Sequence, residues 1–100
     1  MIDLHVHSCF SDGDLTPEDL VQLAARSEVS ALALTDHDTT QGLKPFLAAC
    51  RATSGTPAAV EGLTGVEISA DVPHGSMHIL GYLFDPESQP LQRMLERIRT

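Results

Sequence analysis

The residues able to do chemistry here are imidazoles and carboxylates: His5-Val6-His7, Asp12, Asp36-His37-Asp38, Glu67 and His78. Each stands just after, or inside, an apolar stretch with the character of a β-strand. Neutral imidazole nitrogen together with carboxylate oxygen suits hard and borderline divalent metals. The set points to a polynuclear metal site and so to metal-assisted hydrolysis. On a strand, residues i and i+2 face the same way, so His5 and His7 can enter one site together. Taken alone, that pair also fits two chance histidines in a buried strand. Asp36-His37-Asp38 alone also fits a turn and helix cap, and His78 alone fits a satisfied core histidine. Glu67 is harder to dismiss. It lies between Val66 and Ile68, and a carboxylate in an apolar strand is rarely buried without a partner.

These residues need elements to position them. Residues 2–7 read as a short strand with Leu4 and Val6 inward, followed by a polar loop over 8–15. Thr16 as N-cap, Pro17 at the first helical position and acids at 18 and 19 start a helix. It carries Leu20, Leu23 and Ala24 on one face and ends near Glu28. Ala31-Leu32-Ala33-Leu34 is a continuous apolar run, as in a strand covered on both faces. It delivers Asp36-His37-Asp38 to its C-terminal end. A second helix runs from Gly42 or Leu43 to Thr53. A third strand falls within 58–69, with Gly62 and Gly65 marking a break. A hairpin loop over 72–77 leads to a strand over 78–84, and 89–99 reads as a helix. The order β-α-β-α-β-β-α implies right-handed crossovers and a parallel sheet. The candidate ligands then gather at the C-terminal strand edge, where α/β enzymes build their sites; His78 is the exception, near the start of its strand.

The chain has 100 residues, 42% of them hydrophobic, enough for one small domain and incompatible with disorder. Its formal charge of −8 argues against coating nucleic acid or a membrane surface, which takes Lys/Arg patches. Bound cations would alter that balance locally and draw phosphate to an acidic protein. Two cysteines make no disulfide framework, so a reducing cytoplasm is the expected compartment. Neither a signal peptide nor a membrane-spanning run is visible.

Together, Asp3-Leu4-His5-Val6-His7-Ser8, Ser11-Asp12-Gly13, Leu15-Thr16-Pro17, Leu32 to Thr39, Gly65-Val66-Glu67-Ile68-Ser69 and His78-Ile79-Leu80-Gly81-Tyr82 resemble the polymerase-and-histidinol-phosphatase family over essentially the whole chain. The resemblance implies an α/β fold, the N-terminal part of a distorted (β/α)7 barrel, and up to three divalent ions (Mn, Zn or Fe). By the same resemblance His5 and His7 bind one metal, Asp12 and His37 a second, Glu67 bridges two, and His78 helps hold the third. Asp12, His37 and Glu67 are the residues expected to act in catalysis. The wording is most similar to the small phosphoesterase branch, which acts on nucleoside 3′,5′-bisphosphates and short oligoribonucleotides. The implied chemistry is attack on phosphorus by a metal-activated hydroxide. Asp36 or Asp38 is expected to orient a ligand imidazole from behind. Ser8 and Ser11 are expected to be turn residues, Cys9 a bystander, and His74 an exposed loop histidine rather than a substrate contact.

A closed α/β barrel takes ~250 residues, so residues 1–100 are expected to be the N-terminal part of one domain, the C-terminal half and its ligands lying elsewhere. Six candidates are too few for three shells of ~4–6 ligands. Alone, the chain is expected to self-associate through its open sheet and to be inactive. Two other classes share some features. Amidohydrolases also open on His-x-His but usually use a Lys, and the sole lysine here, Lys44, falls in a helix. A non-catalytic metal-binding or interaction module would need only part of the ligand set.

Overall fold

The computed structural model describes residues 1–99. The elements follow in the expected order: β1 (Ile2–Val6), α1 (Pro17–Arg26), β2 (Ala31–Leu34), α2 (Leu43–Ala52), β3 (Glu61–Val72), β4 (Gly75–Tyr82) and α3 (Gln89–Arg99). The strands form one sheet in the order β1-β2-β3-β4. β1, β2 and β3 are parallel, and β4 returns antiparallel to β3.

α1 begins as its sequence dictates. Thr16 Oγ1 accepts from the Asp19 N–H at 3.1 Å, Pro17 opens the first turn, and Glu18 and Asp19 face the helix's positive end. It stops at Arg26, short of Glu28, which adopts the left-handed conformation (φ 63°). The buried stripe is Pro17, Val21 and Ala24, with Leu20 partly covered. Leu23, expected on the inner face, is 44% exposed. Positions 17, 20, 21 and 24 keep the helical period, and 23 falls on its flank. In α2 the buried residues Leu43, Phe46 and Cys50 repeat the same logic. α1 packs on β2 while α2 packs on β3 and on α1, and Leu32 and Leu34 of β2 join Val21, Ala24, Val29, Leu43, Phe46, Cys50 and Val60 in one core. Ala33 is fully buried on the opposite side of β2, so this strand is covered on both faces as its sequence implied.

Three expectations are corrected. Leu4 is 41% exposed rather than inward, because β1 is an edge strand and only Val6 reaches the core. β3 is continuous for twelve residues rather than broken at its glycines. Its first part, to Thr64, pairs with β2, and from Gly65 onward it pairs with β4. Gly65 serves close approach: a Cβ there would lie 2.7 Å from Thr35 Cγ2 and 2.8 Å from the Leu34 carbonyl. The hairpin is also tighter than expected. Val72 pairs with Gly75 across Pro73-His74, so β4 spans 75–82 and His78 sits mid-strand opposite Ser69.

The sheet is strongly curled. The Tyr82 hydroxyl on β4 donates to the Leu4 carbonyl on β1 at 2.6 Å, although these strands are opposite ends of the order. In a flat sheet they would stand three spacings, about 14 Å, apart. This curl turns β1, β3 and β4 toward a common centre. No helix of the described residues is long and apolar enough to cross a membrane.

Candidate metal centre

Glu67 is the hub. Its backbone is clamped by the end of β2: its N–H donates to the Asp36 carbonyl (3.0 Å), and its carbonyl accepts from the Asp38 N–H (2.9 Å). Its side chain is only 5% exposed. His5 Nε2 and His7 Nε2, brought to one side by their i, i+2 spacing, lie 2.6 and 2.8 Å from the same oxygen, Oε1. His78 Nδ1 approaches Oε2 at 2.8 Å from β4, and His37 Nδ1 stands 3.9 Å from it. The loop after β1 brings Asp12 to the other ring edges, with Oδ1 2.7 Å from His7 Nδ1 and Oδ2 3.3 Å from His37 Nε2.

The six residues singled out by sequence thus meet in one place. They form three overlapping triads, His5/His7/Glu67, His7/Asp12/His37 and His37/Glu67/His78, in each of which one donor atom per residue lies within 4.8 Å of the others. Two imidazole nitrogens converging on one carboxylate oxygen is the donor chemistry of a divalent-cation site, so the residues fit such ions. Burial alone would raise the Glu67 pKa. The hydrogen bonds from His5 and His7, with the charges of His37 and His5, outweigh it and hold the carboxyl below the usual carboxylate range. Exposure grades across the site: His7 and His37 are about one-fifth open, whereas His5, His78 and Asp12 are half open or more.

Asp36 does not orient an imidazole. Oδ1 accepts from the Ser8 N–H (2.6 Å) and the Ser11 hydroxyl (2.7 Å), and Oδ2 accepts from the Ser8 hydroxyl (2.6 Å). Ser8 and Ser11 are turn residues as expected, but buried Ser8 is tied to the end of β2. Asp38 Oδ1 accepts from the Ser69 N–H at 2.7 Å, which fixes β3 beyond Glu67. His74 is exposed at the hairpin turn and Cys9 is exposed in the loop. Sequence reasoning missed this Asp36–serine network and the Tyr82 bond to β1. Serines flanking Asp12 were the only available signal for the first. The second had none, because its partner is a backbone carbonyl.

Fold and site define a class: a curled α/β half-barrel with a histidine–carboxylate cluster where the C-terminal ends of β1 and β2 meet the middle of β3 and β4. Within that class the chain belongs to the PHP domain family, whose model matches residues 3–97. It is 44% identical over 98 residues to a 3′,5′-nucleoside bisphosphate phosphatase of Chromobacterium violaceum, covering 98% of this chain and 33% of that protein. It is 43% identical over 83 residues to the 5′-3′ exoribonuclease Rnm of Escherichia coli, covering 83% of this chain and 27% of that one. Among solved structures it is similar to a protein of C. violaceum described as an amidohydrolase with bound sulfate and no metal (TM-score 0.87, 41% identity, 98% of this chain and 33% of that one). The chain spans about a third of the length of the curated relatives it matches. The α/β reading and the partial PHP-type barrel follow from these likenesses.

Proposed function

We propose that the chain contributes the first ligands of a metal-dependent phosphoesterase centre. The observation that carries this reading is the convergence of four imidazoles and Asp12 around buried Glu67. His5, His7, Asp12, His37, Glu67 and His78 would hold the ions, with Glu67 shared between two. Divalent ions bound there supply Lewis-acid polarisation of a phosphate ester and acidification of a water. The side chains themselves would hold the ions at the three overlapping triads. The curl of the sheet and the end of β2 keep Glu67 rigid, and the polar, half-open rim of His5, His78 and Asp12 leaves room for an anionic substrate.

Support for the substrate class comes from the relatives: a bisphosphate phosphatase and an exoribonuclease both act on phosphate esters of nucleotides. A small phosphorylated nucleotide or short RNA is therefore the proposed substrate. An amide substrate is less well supported. The only lysine, Lys44, is exposed on α2 and belongs to none of the three triads. Mn, Zn or Fe each suit the mixed donors, up to three ions in the complete domain. Residues 1–100 would then be the N-terminal part of that domain. Both cysteines are free, consistent with a reducing cytoplasmic setting.

The test is metal content per chain by inductively coupled plasma mass spectrometry after purification with Mn and Zn. This is followed by phosphate release from a nucleoside 3′,5′-bisphosphate by a chain of the relatives' full length. Two or more ions, and turnover abolished by His37→Ala in a folded protein, are expected. Unchanged turnover in that variant would overturn the assignment. Metal uptake without phosphate release would favour a non-catalytic binding module.

A further inference from the structure

Asp12 poses a geometric problem. Its side chain is 62% exposed, yet it meets two imidazoles, one just past β1 and one just past β2, with separate oxygens. No packed wall aims it. Its direction is set by the backbone of the Ser8–Gly13 loop, and that loop is stitched inward. The Ser8 carbonyl accepts from the Ser11 N–H (3.1 Å) and the Gly13 N–H (2.9 Å). Gly13 lies so close beneath His7 that a Cβ there would come within 2.3 Å of the His7 carbonyl oxygen. Both neighbours of Asp12 are therefore fixed relative to Ser8.

Ser8, fully buried, is in turn fixed by Asp36, itself 2% exposed. Among the described residues, the three hydrogen bonds to the Asp36 carboxylate come from Ser8 and Ser11 and none from a cation. These short hydrogen bonds offset the cost of burying the carboxylate and hold the two serines firmly to it. The backbone carbonyl of the same residue accepts from the Glu67 N–H. One residue thus grips the Asp12 loop with its side chain and the Glu67 strand with its main chain.

We propose that Asp36 is a positioning residue that sets Asp12 relative to Glu67, and so sets the His7/Asp12/His37 triad against the two triads that share Glu67. The proposal rests on the metal-centre reading above. It acts through Ser8 and Ser11, not through contact with a metal or substrate.

The experiment is a Co2+ titration of the chain, read by visible absorption, beside its Asp12→Ala, Asp36→Ala and Asp36→Asn variants and the Asp12→Ala/Asp36→Ala double variant. Asp12→Ala defines the step that depends on that triad. Asp36→Ala is expected to weaken the same step about 10- to 100-fold, the usual effect of losing an outer-shell partner, and to add nothing in the Asp12→Ala background. Asp36→Asn keeps an acceptor for Ser8 and Ser11 and can donate to the Ser8 hydroxyl, so it should retain the step. In the metal-free chain, Asp36→Ala should speed amide exchange at Gly13 while leaving α1 protected. Should Asp36→Ala fail to fold, Ser11→Ala reads the same selective, smaller loss. Wild-type binding in Asp36→Ala, or equal weakening of every step with additivity in the double variant, overturns the proposal. No Co2+ uptake by the wild-type chain overturns the metal-centre reading and the proposal with it, whereas uptake that ignores Asp36 sinks the positioning role alone.

Discussion

Glu67 concentrates the electrostatics of the molecule. Its carboxyl is held below the ordinary value of 4.5, because hydrogen bonds from His5 and His7 and the charges of His37 and His5 overcome the penalty of burial. A carboxylate with a lower pKa folded than unfolded contributes stability above the unfolded pKa. That contribution is lost as pH falls through the folded value. The metal-free chain should therefore lose stability as pH drops below about 4.5, and Glu67→Gln should flatten that dependence, as followed by urea unfolding at several pH values. A variant as acid-sensitive as the wild type would contradict this. Metal uptake should separate the ligands by how many triads they serve. Glu67, in two triads, should cost more bound metal on replacement by Gln than His5, in one, on replacement by Ala. Metal content per chain checks the order. These positions were legible in the sequence because few residue types bind divalent ions and because they recur at strand ends. The anchor at Asp36 was not legible. An aspartate after a strand serves caps, turns and ligands alike, and the hydroxyls of Ser8 and Ser11 carry no periodic signal that would pair them with it.

The elements are set by local chemistry that a few substitutions should expose. Thr16→Ala removes the acceptor for the Asp19 N–H and should destabilise the chain by about 1 kcal/mol. Gly65→Ala should be worse, about 1–3 kcal/mol, because its new Cβ meets the Leu34 backbone and Thr35, which flank the approach to His37. Thermal unfolding of the two variants gives the comparison, and a Gly65→Ala chain as stable as the wild type would show that β3 can shift aside. The two thiols should differ in reactivity. Burial in α2 pushes the Cys50 thiol up to about 11, against a smaller opposing effect of Arg51, whereas Cys9 is exposed. Only one thiol per folded chain should therefore react quickly with a disulfide reagent near neutral pH, and Cys9→Ser should abolish that fast phase. Helix starts were readable because Thr-Pro-Glu-Asp names its own position. The ends of β3 and β4 were not. Glycine at 62 and 65 looks the same whether it breaks a strand or admits a neighbour, and only the packing of Cys50 against Gly62 and of Thr35 against Gly65 decides.

At the scale of the whole molecule, the chain is more open than its size implies. Its surface of 6156 Å² exceeds the about 5,500 Å² expected of a closed protein of 10.7 kDa. Its radius of gyration of 13.9 Å exceeds the about 13 Å of a compact 100-residue domain. Part of the exposed surface is apolar. Met1, Ile2, Met77, Ile79 and Leu83 are each about half exposed or more, and they lie on or beside the edge strands β1 and β4. β1 and β4 are the edge strands of the sheet, and the Tyr82–Leu4 bond draws them toward one another. Apolar side chains next to free strand edges favour pairing with another chain. We propose the β1 and β4 edges, rather than the helical face, as the place where the self-association expected from the sequence would occur. Sedimentation equilibrium over a range of concentrations should show a reversible dimer or larger species. Replacing Ile2 and Ile79 with Lys should shift it toward monomer while leaving helical circular dichroism intact. A compact monomer at high concentration would mean that the curled sheet shields its own edges, and Tyr82→Phe, which breaks the bond from β4 to β1, would then be the variant expected to open it.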